Sequence, residues 1–247
     1  MVSWNSEGFL TECLTSIKEN LVGIKYEVVL VDNASTDGTV KRVQQSFPYV
    51  QLIVNGQNAG FAAANNIAIA QSSGRYILLL NPDAVLLNAG SVEEMVAFMD
   101  ARPEAGACGP RLVHPHSGKA EVSARAFPQL LPLLWNLSYL DRLLPKSRLF
   151  GAYRMTYESV DKPRQVDWLT GACLMVRREA VATVGGLDEH IFMYCEDIDW
   201  CYRLKQAGWQ ICYLPLVEIG HYRGQSSKLK LKDPETNSRL FGNSRSR

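Results

Sequence analysis

Two strongly apolar runs that each lead to an aspartate constrain the fold of this chain most. Residues 28–31 run directly into Asp32, and Tyr76–Leu80 leads to Asp83. Continuous apolar runs of this length are typical of strands covered on both faces, as in parallel sheets. Ligands of open α/β sheets bind outside the carboxyl ends of the strands, so we expect Asp32 and Asp83 to reach one crevice. The alternative, that each only caps the next turn or helix, stays open for either aspartate alone.

Strand-like and helix-like segments alternate through the first half of the chain. Ser91 with Glu94 indicates a capping box at the start of one helix. This alternation predicts an α/β fold with a doubly wound, mostly parallel sheet and helices on both faces. The predicted strands are 1–4, 26–31, 50–54 and 76–80, and the predicted helices are 9–17, 37–47, the alanine-rich segment after Gly60, and 91–102.

The second half of the chain is less regular. Prolines interrupt the apolar stretch 127–144, so one long helix is not expected there. A buried strand is predicted at 168–176, followed by a helix at 177–184. A further helix begins near Asp197, and a short strand covers 211–214.

An acidic cluster interrupts the aromatic and apolar segment 192–201. Glu196, Asp197 and Asp199 lie within a few positions of one another. Neighbouring carboxylates in a partly desolvated place raise each other's pKa and weaken the fold, which indicates a chemical role.

Composition excludes several classes of protein. The formal net charge is +1, which gives no indication of nucleic-acid binding. There is no apolar run long enough to span a membrane and no signal-peptide pattern, so we expect a cytoplasmic protein. The six cysteines show no CxxC spacing, which favours reduced, structural thiols.

Several motifs in fixed order resemble the inverting family 2 glycosyltransferases, and among them the rhamnosyltransferase-like branch that decorates bacterial polysaccharides. The resemblance covers about residues 3–227, and ordered motifs are more specific than any single one. The motifs are VDNASTDGT at 31–39, NAGFAAANN at 58–66, NPD at 81–83, WLTGACLMVRREA at 168–180, GGLDE at 185–189 and FMYCEDIDWCYRLKQAGW at 192–209.

The resemblance implies a GT-A fold, which is Rossmann-like, with a small acceptor-side subdomain. It implies a single domain at 1–227, with a nucleotide-sugar-binding half at 1–110 and an acceptor and catalytic half at 111–227. The polar tail 228–247 is expected to be flexible. The implied reaction is inverting transfer of a sugar, with rhamnose favoured, from a dTDP- or UDP-sugar to a saccharide or polyprenyl-linked acceptor in cell-surface polysaccharide synthesis.

The resemblance also implies a set of donor-binding residues. Asp37 could equally be a helix-start residue beside Gly38, and Asn65 could belong to an ordinary packed helix. The implied donor-binding residues are Asp32, Asn33, Ser35, Asp37, Gly60, Asn65 and Asp83.

A divalent cation, Mg²⁺ or Mn²⁺, is the implied cofactor. Asp83 is the expected ligand, and His221 is a candidate second ligand. One carboxylate cannot hold the ion tightly, so the diphosphate of the donor must supply further oxygens. A histidine that is only hydrogen-bonded is the alternative for His221.

The acidic cluster provides the implied catalytic residues. Asp197 corresponds to the general base, and Glu196 is expected to orient the acceptor or the base. Gly171, Asp188 and Glu196 are expected to contact the acceptor. Asp199 is expected to pair with Arg203 one helical turn later.

The apolar stretch 127–148 has basic flanks and supports two readings. It could rest on an anionic membrane surface, which would make the protein peripheral on the inner face of the plasma membrane. It could equally be a lid or packing subdomain over the acceptor site.

Two other hypotheses remain. Similar enzymes carry apolar residues before the position of Val2, so a terminally truncated, impaired remnant that at most binds nucleotide sugar is the alternative to an active enzyme. A nucleotidyltransferase would carry a glycine-rich loop near its N-terminus, and residues 1–25 contain none.

Overall fold

A small parallel sheet forms one side of the molecule. Its strands are β1 (Val2–Ser3), β2 (Val28–Asp32) and β3 (Val50–Val54), with β2 in the centre. Helix α1 (Glu7–Asn20) connects β1 to β2, and α2 (Thr39–Ser46) connects β2 to β3. The computed structural model describes residues 1–137, 139, 143, 147, 149–150, 153, 155 and 162–222.

A larger sheet forms the centre, in the strand order β4, β10, β6, β11, β5, with β8 also paired to β11. β6 and β11 run parallel, whereas β10 lies antiparallel between β4 and β6, and β5 lies antiparallel to β11. These strands are β4 (Tyr76–Leu80), β5 (Ala84–Leu86), β6 (Ala105–Val113), β8 (Arg164–Gln165), β10 (Cys173–Arg177) and β11 (Gln210–His221).

A short antiparallel pair, β7 (Ala124–Arg125) and β9 (Trp168–Leu169), lies beside the central sheet. It leads into the apolar helix α5 (Leu130–Leu137). The remaining helices are α3 (Phe61–Ala70), α4 (Ser91–Asp100), α6 (Arg178–Val184) and α7 (Glu196–Gln206).

Two large apolar clusters hold the helices against the central sheet. On one face, α1 and α4 bury Leu14 and Met95. On the other, α7 buries Trp200 and Leu204 completely. Each fully buried side chain of this size contributes about 1.5–3 kcal/mol through burial, so these helices are held firmly against the sheet.

The predicted α/β fold is confirmed, and several details of the elements differ. Ser91 does not cap α4: the capping residue is Gly90, and the Ser91 hydroxyl donates to the carbonyl of Asn88. The predicted strand at 168–176 is broken by a turn between β9 and β10, because the chain crosses there from one sheet to the other. The last strand extends to His221, with a change of register before Glu218.

The whole of β6 escaped prediction, because glycine and proline are unfavourable in strand sequences. The polar tail 228–247 and part of the stretch 127–148 lie outside the described residues. Among helices in the described ranges, none combines the length and the apolar character that crossing a bilayer requires.

Candidate active site

A cavity of about 450 Å³ opens where several elements of the central sheet end. The turn after β4, the start of α7 and the last residue of β11 contribute its polar groups. Its wall includes Asn33, Gly60, Asp83, Glu121, Arg125, Trp168, Gly171, Glu196, Asp197 and His221.

Asp83 is buried in the tight turn that joins β4 to β5. Its backbone carbonyl accepts a hydrogen bond from the N–H of Tyr222 (2.9 Å), which ties the turn to the end of β11. Its Oδ1 atom is buried and accepts no well-aligned hydrogen bond from the described residues, although Nε2 of His221 lies 3.5 Å away as an ion-pair partner. An unsatisfied buried carboxylate oxygen is costly, so it fits a position that a cation or a ligand donor completes.

His221 places beside Asp83 a side chain of a type that can ligate a metal. Its Nε2 atom lies 3.5 Å from Oδ1 of Asp83, and its Nδ1 atom lies 3.1 Å from a carboxylate oxygen of Glu121. Burial alone would lower the pKa of this imidazole, but the two carboxylates outweigh burial and raise the pKa to about 9. The described residues contain no cluster of three histidine, cysteine or carboxylate side chains that could enclose a metal without other ligands.

Asp197 lies in the first turn of α7 and is held by backbone groups. The N–H of Gly171 donates to its Oδ2 (3.0 Å), and the N–H of Ile198 donates to its Oδ1 (2.9 Å). Desolvation raises the pKa of Asp197, while these N–H groups and the positive charge of Arg125 act in the opposite direction. The result is a fixed carboxylate that is more basic than an ordinary aspartate.

The N-terminus of α7 compensates the acidic cluster. Glu196, Asp197 and Asp199 all lie in the first turn, where the helix dipole favours negative charge. The two preceding residues, Tyr194 and Cys195, have φ angles of 67° and 72°. Left-handed backbone at two successive non-glycine residues is strained, and such strain is typical of functional sites.

Asn33 and Gly60 build the opposite wall. The amide nitrogen of Asn33 donates to Oδ1 of Asn58 and to the carbonyl of Gly60, both at 3.0 Å. Gly60 has φ 89° and ψ 173°, and a Cβ atom there would lie 2.7 Å from the carbonyl oxygen of Phe192. Only glycine fits this position, where the start of α3 lies against the segment before α7.

The predicted donor-binding residues Asp32 and Asp37 of the β2 loop make hydrogen bonds that hold the loop in shape. Asp32 is fully buried outside the cavity wall and accepts hydrogen bonds from Ser3 and Ser35. Asp37 is exposed and accepts from the backbone and hydroxyl groups of Thr39, as expected for a helix-start residue.

Two further predicted residues lie away from the cavity wall. Asn65 is buried in α3, donates to the carbonyl of Phe61, and lines a separate cavity of about 660 Å³ between β2 and β4. Asp188 accepts hydrogen bonds from the backbone and the ring of His190, which hold the pKa of this carboxyl below its usual value.

Sequence analysis did not identify Arg125 and Glu121 as site residues, although both line the cavity. Arg125 stacks on Trp168, with 5.1 Å between the guanidinium carbon and the ring centroid, and its buried Nε donates no hydrogen bond within the described residues. The indole N–H of Trp168 donates to the carbonyl of Ala126, so this tryptophan is a packed wall residue. The expected pair of Asp199 with Arg203 is confirmed at 2.8 Å.

Comparison with known families identifies the family of this chain. The model of the family "Glycosyl transferase family 2" matches residues 1–185. The chain belongs to glycosyltransferase family 2. Asp83 lies within the matched segment, and Asp197 and His221 lie beyond it.

Curated relatives of this family 2 glycosyltransferase include rhamnosyltransferases. The N-acetylglucosaminyl-diphospho-decaprenol L-rhamnosyltransferase of Mycobacterium tuberculosis is 37% identical over 212 residues, which cover 81% of this chain and 67% of that protein. Rhamnosyltransferase WbbL of Escherichia coli is 27% identical over 231 residues, covering 90% of this chain and 81% of that protein. The rhamnosyltransferase-like resemblance is confirmed.

Solved glycosyltransferase structures confirm the GT-A fold. The mannosyltransferase PcManGT from Pyrobaculum calidifontis, in complex with GDP-Man and Mn²⁺, superposes with a TM-score of 0.63 at 19% identity. GalNAc-T7 with UDP, GalNAc and Mn²⁺ gives a TM-score of 0.66 at 17% identity. The alignments cover 93% and 89% of this chain but only 58% and 42% of those chains, so this glycosyltransferase spans about half of their length.

Proposed function

We propose that this glycosyltransferase transfers a sugar, with inversion at the anomeric carbon, from a nucleoside diphosphate sugar to a hydroxyl acceptor. The observation that carries the proposal is a single cavity that contains two carboxylates in different environments. Asp83 has a buried oxygen that lacks a hydrogen bond, and Asp197 is held at a helix N-terminus with a raised pKa. The first suits a cation and the second suits a base.

The donor diphosphate would bind at the Asp83 end of the cavity. Asp83 and His221 would hold a divalent cation there, Mg²⁺ or Mn²⁺, with the remaining ligands from the diphosphate and water. The cation would neutralise the negative charge that develops on the departing diphosphate. Arg125, which lines the same cavity, adds a positive charge to it.

The nucleoside would lie against the wall formed by Asn33 and Gly60. Close backbone packing at Gly60 shapes this wall, and Asn33 fixes it by hydrogen bonds. Asp32, Ser35 and Asp37 would act here by holding the β2 loop in position. Residues 1–110 would therefore form the donor half of the domain.

Asp197 would accept the proton of the acceptor hydroxyl as that oxygen attacks the anomeric carbon. The N–H groups of Gly171 and Ile198 hold its carboxylate in one orientation, so little reorganisation is needed during the reaction. Glu196, buried beside it, would orient the acceptor. Residues 111–227, which include Gly171 and Asp188, would form the acceptor and catalytic half.

Rhamnose from a dTDP-sugar is the donor we favour, and a lipid-linked saccharide is the acceptor. The support is the 37% identity to a mycobacterial enzyme whose name states L-rhamnosyl transfer to a decaprenol-linked sugar. The process served would be bacterial cell-surface polysaccharide synthesis at the inner face of the plasma membrane.

Helix α5 would bring the enzyme to such an acceptor. Leu130, Leu131, Leu134 and Leu137 are 75%, 57%, 46% and 66% exposed. α5 follows shortly after Arg125, which lines the cavity. An exposed leucine-rich helix in a segment with basic flanks suits the surface of an anionic bilayer.

The test is turnover with a panel of dTDP-, UDP- and GDP-sugars and a polyprenyl-diphosphate-linked acceptor, with NMR assignment of the product's anomeric configuration. We expect transfer from one donor and a configuration opposite to that of the donor. Retention of configuration would contradict the inverting mechanism. A folded protein that binds nucleotide sugar but transfers nothing would support the impaired remnant instead.

A further inference from the structure

We infer that Glu121 is a positioning residue for the proposed metal site: it fixes the His221 ring so that Nε2 faces Asp83. The inference rests on the proposed function, because it assigns a role within the proposed donor site. Nδ1 of His221 donates to Oε2 of Glu121 (3.1 Å), and Nε2 lies 3.5 Å from Oδ1 of Asp83. The imidazole of His221 therefore lies between the carboxylates of Glu121 and Asp83.

The backbone around Glu121 holds its side chain in place. The N–H of Glu121 donates to the carbonyl of Leu112 (2.8 Å), and Val113 bridges to Ala120. This hairpin returns the chain alongside β6, whose neighbour β11 ends at His221. The Glu121 side chain is only 14% exposed, so it meets the histidine in a largely desolvated place.

Such an arrangement matches what a metal-binding histidine requires. A histidine that ligates through one ring nitrogen usually donates its other N–H to a carboxylate or carbonyl, which fixes the tautomer and the ring plane. Here Glu121 accepts the hydrogen bond from Nδ1, so Nε2 is the nitrogen left to face Oδ1 of Asp83. Without Glu121, the ring could rotate about its χ2 torsion, or place its proton on Nε2 and lose its lone pair for the metal.

Direct measurement of Mn²⁺ binding tests this role independently of turnover. The free Mn²⁺ signal in electron paramagnetic resonance gives the dissociation constant with Mn²⁺ and UDP or dTDP as probes. We expect Glu121→Ala to weaken Mn²⁺ binding about 10- to 100-fold, as second-shell removal typically does. Glu121→Gln keeps an acceptor oxygen and should lie between Glu121→Ala and the native protein.

A matched control and a spectroscopic readout separate positioning from general destabilisation. Glu218→Gln changes a half-buried glutamate on β11 that pairs with Arg111, and it should bind Mn²⁺ as the native protein does. With the diamagnetic Mg²⁺ and UDP bound, the ¹⁵N shifts of the His221 ring should report a metal-bound Nε2 and a protonated Nδ1 in the native protein, and a mixture of states in Glu121→Ala. Circular dichroism confirms that each variant is folded.

The outcomes distinguish this inference from the metal site itself. Native-like Mn²⁺ affinity in Glu121→Ala, with loss in Asp83→Ala and His221→Ala, would overturn the role of Glu121 and leave the metal site intact. Loss in Glu121→Gln as complete as in Asp83→Ala would make Glu121 a direct ligand and overturn the positioning role. No Mn²⁺ binding by the native protein would overturn both proposals.

Discussion

Asp197 and Gly171 are joined by a hydrogen bond of 3.0 Å, from the backbone N–H of Gly171 to Oδ2 of the aspartate. It links the turn between β9 and β10 to the first turn of α7. A second N–H, from Ile198, fixes the other carboxylate oxygen. Because backbone groups hold both oxygens, the orientation of this carboxylate depends on the fold and does not depend on another flexible side chain.

Replacing Asp197 with asparagine should abolish most turnover. We expect kcat to fall by about 10²–10⁴-fold, because a positioned general base contributes a factor of that size. Nucleotide binding should be retained, since Asp197 is not proposed to contact the diphosphate. Steady-state kinetics together with calorimetric nucleotide titration measure the two effects.

Asp199→Asn is the control, because it lies on the same helix but pairs with Arg203. It should keep native turnover and lose about 0–1 kcal/mol of stability, as expected for a half-exposed pair. Equal loss of turnover in the two variants would contradict the assignment of the base.

The pH dependence of kcat/KM should have an acidic limb set by Asp197. Desolvation raises its pKa, so the rate should begin to fall at a higher pH than the ordinary aspartate value would give. The positive charge of Arg125 lowers that pKa, so Arg125→Gln should move the limb to higher pH, whatever it does to the maximum rate.

The contribution of Asp197 to stability has the opposite pH dependence to its contribution to the rate. A raised folded-state pKa means that the contribution of Asp197 is most favourable below its unfolded pKa and is lost as pH rises through the folded pKa. For the rate, an acidic limb of kcat/KM that lies at or below the ordinary aspartate pKa and does not move in Arg125→Gln would contradict a desolvated base.

Gly60→Ala should destabilise the protein more than Gly185→Ala does. Both glycines have φ above 80° and ψ near 180°, a region that costs other residues about 1–3 kcal/mol. Only at Gly60 would the added Cβ also meet a backbone atom, at 2.7 Å from the Phe192 carbonyl, whereas nothing lies within 4 Å of a Cβ at Gly185.

Urea unfolding should therefore show a further loss of about 1–3 kcal/mol for Gly60→Ala, the usual cost of overpacking. The nucleotide affinity should fall in that variant only. Equal unfolding free energies for the two variants would show that the contact with Phe192 is unimportant.

Removing the leucines of α5 should weaken binding to anionic vesicles. Leu130→Ser with Leu137→Ser should lower the partition coefficient by about 100-fold or more, because each buried leucine contributes roughly 1.5–3 kcal/mol. Leu216→Ser is the matched control, since Leu216 is equally exposed but lies on β11. Flotation with vesicles of phosphatidylglycerol and phosphatidylcholine measures the effect, and equal binding of both variants would exclude α5 as the contact.

The sequence allowed the positions of Asp83, Asp197, His221 and Gly60 on the cavity wall to be predicted. Each lies at the end of a strand or the start of a helix, and the ends of these elements are the parts of an α/β fold that sequence patterns mark best. The proposed metal role of Asp83 came from the resemblance of NPD to the family's acidic motif, since Asp32 also follows an apolar run and its carboxylate accepts hydrogen bonds from Ser35.

Other residues could not be placed from the sequence, because their partners are set by tertiary contacts. The carboxylate of Asp32 accepts hydrogen bonds from Ser3 and Ser35, which hold it away from the cavity. β6 contains glycines and a proline and becomes a strand only because β10 and β11 enclose it. Glu121 meets His221 across a large separation in sequence, and nothing local marks that contact.

Calorimetric titration of the protein with dTDP, UDP and GDP, with and without Mn²⁺, tests the central claim most directly. We predict Mn²⁺-dependent binding of one nucleoside diphosphate, lost in Asp83→Asn and retained in Asp199→Asn, which makes the same chemical change away from the proposed cation. Binding that is independent of Mn²⁺, or that survives in Asp83→Asn, would contradict the assignment of Asp83. The absence of binding by any nucleotide to the folded native protein would contradict the donor site as a whole.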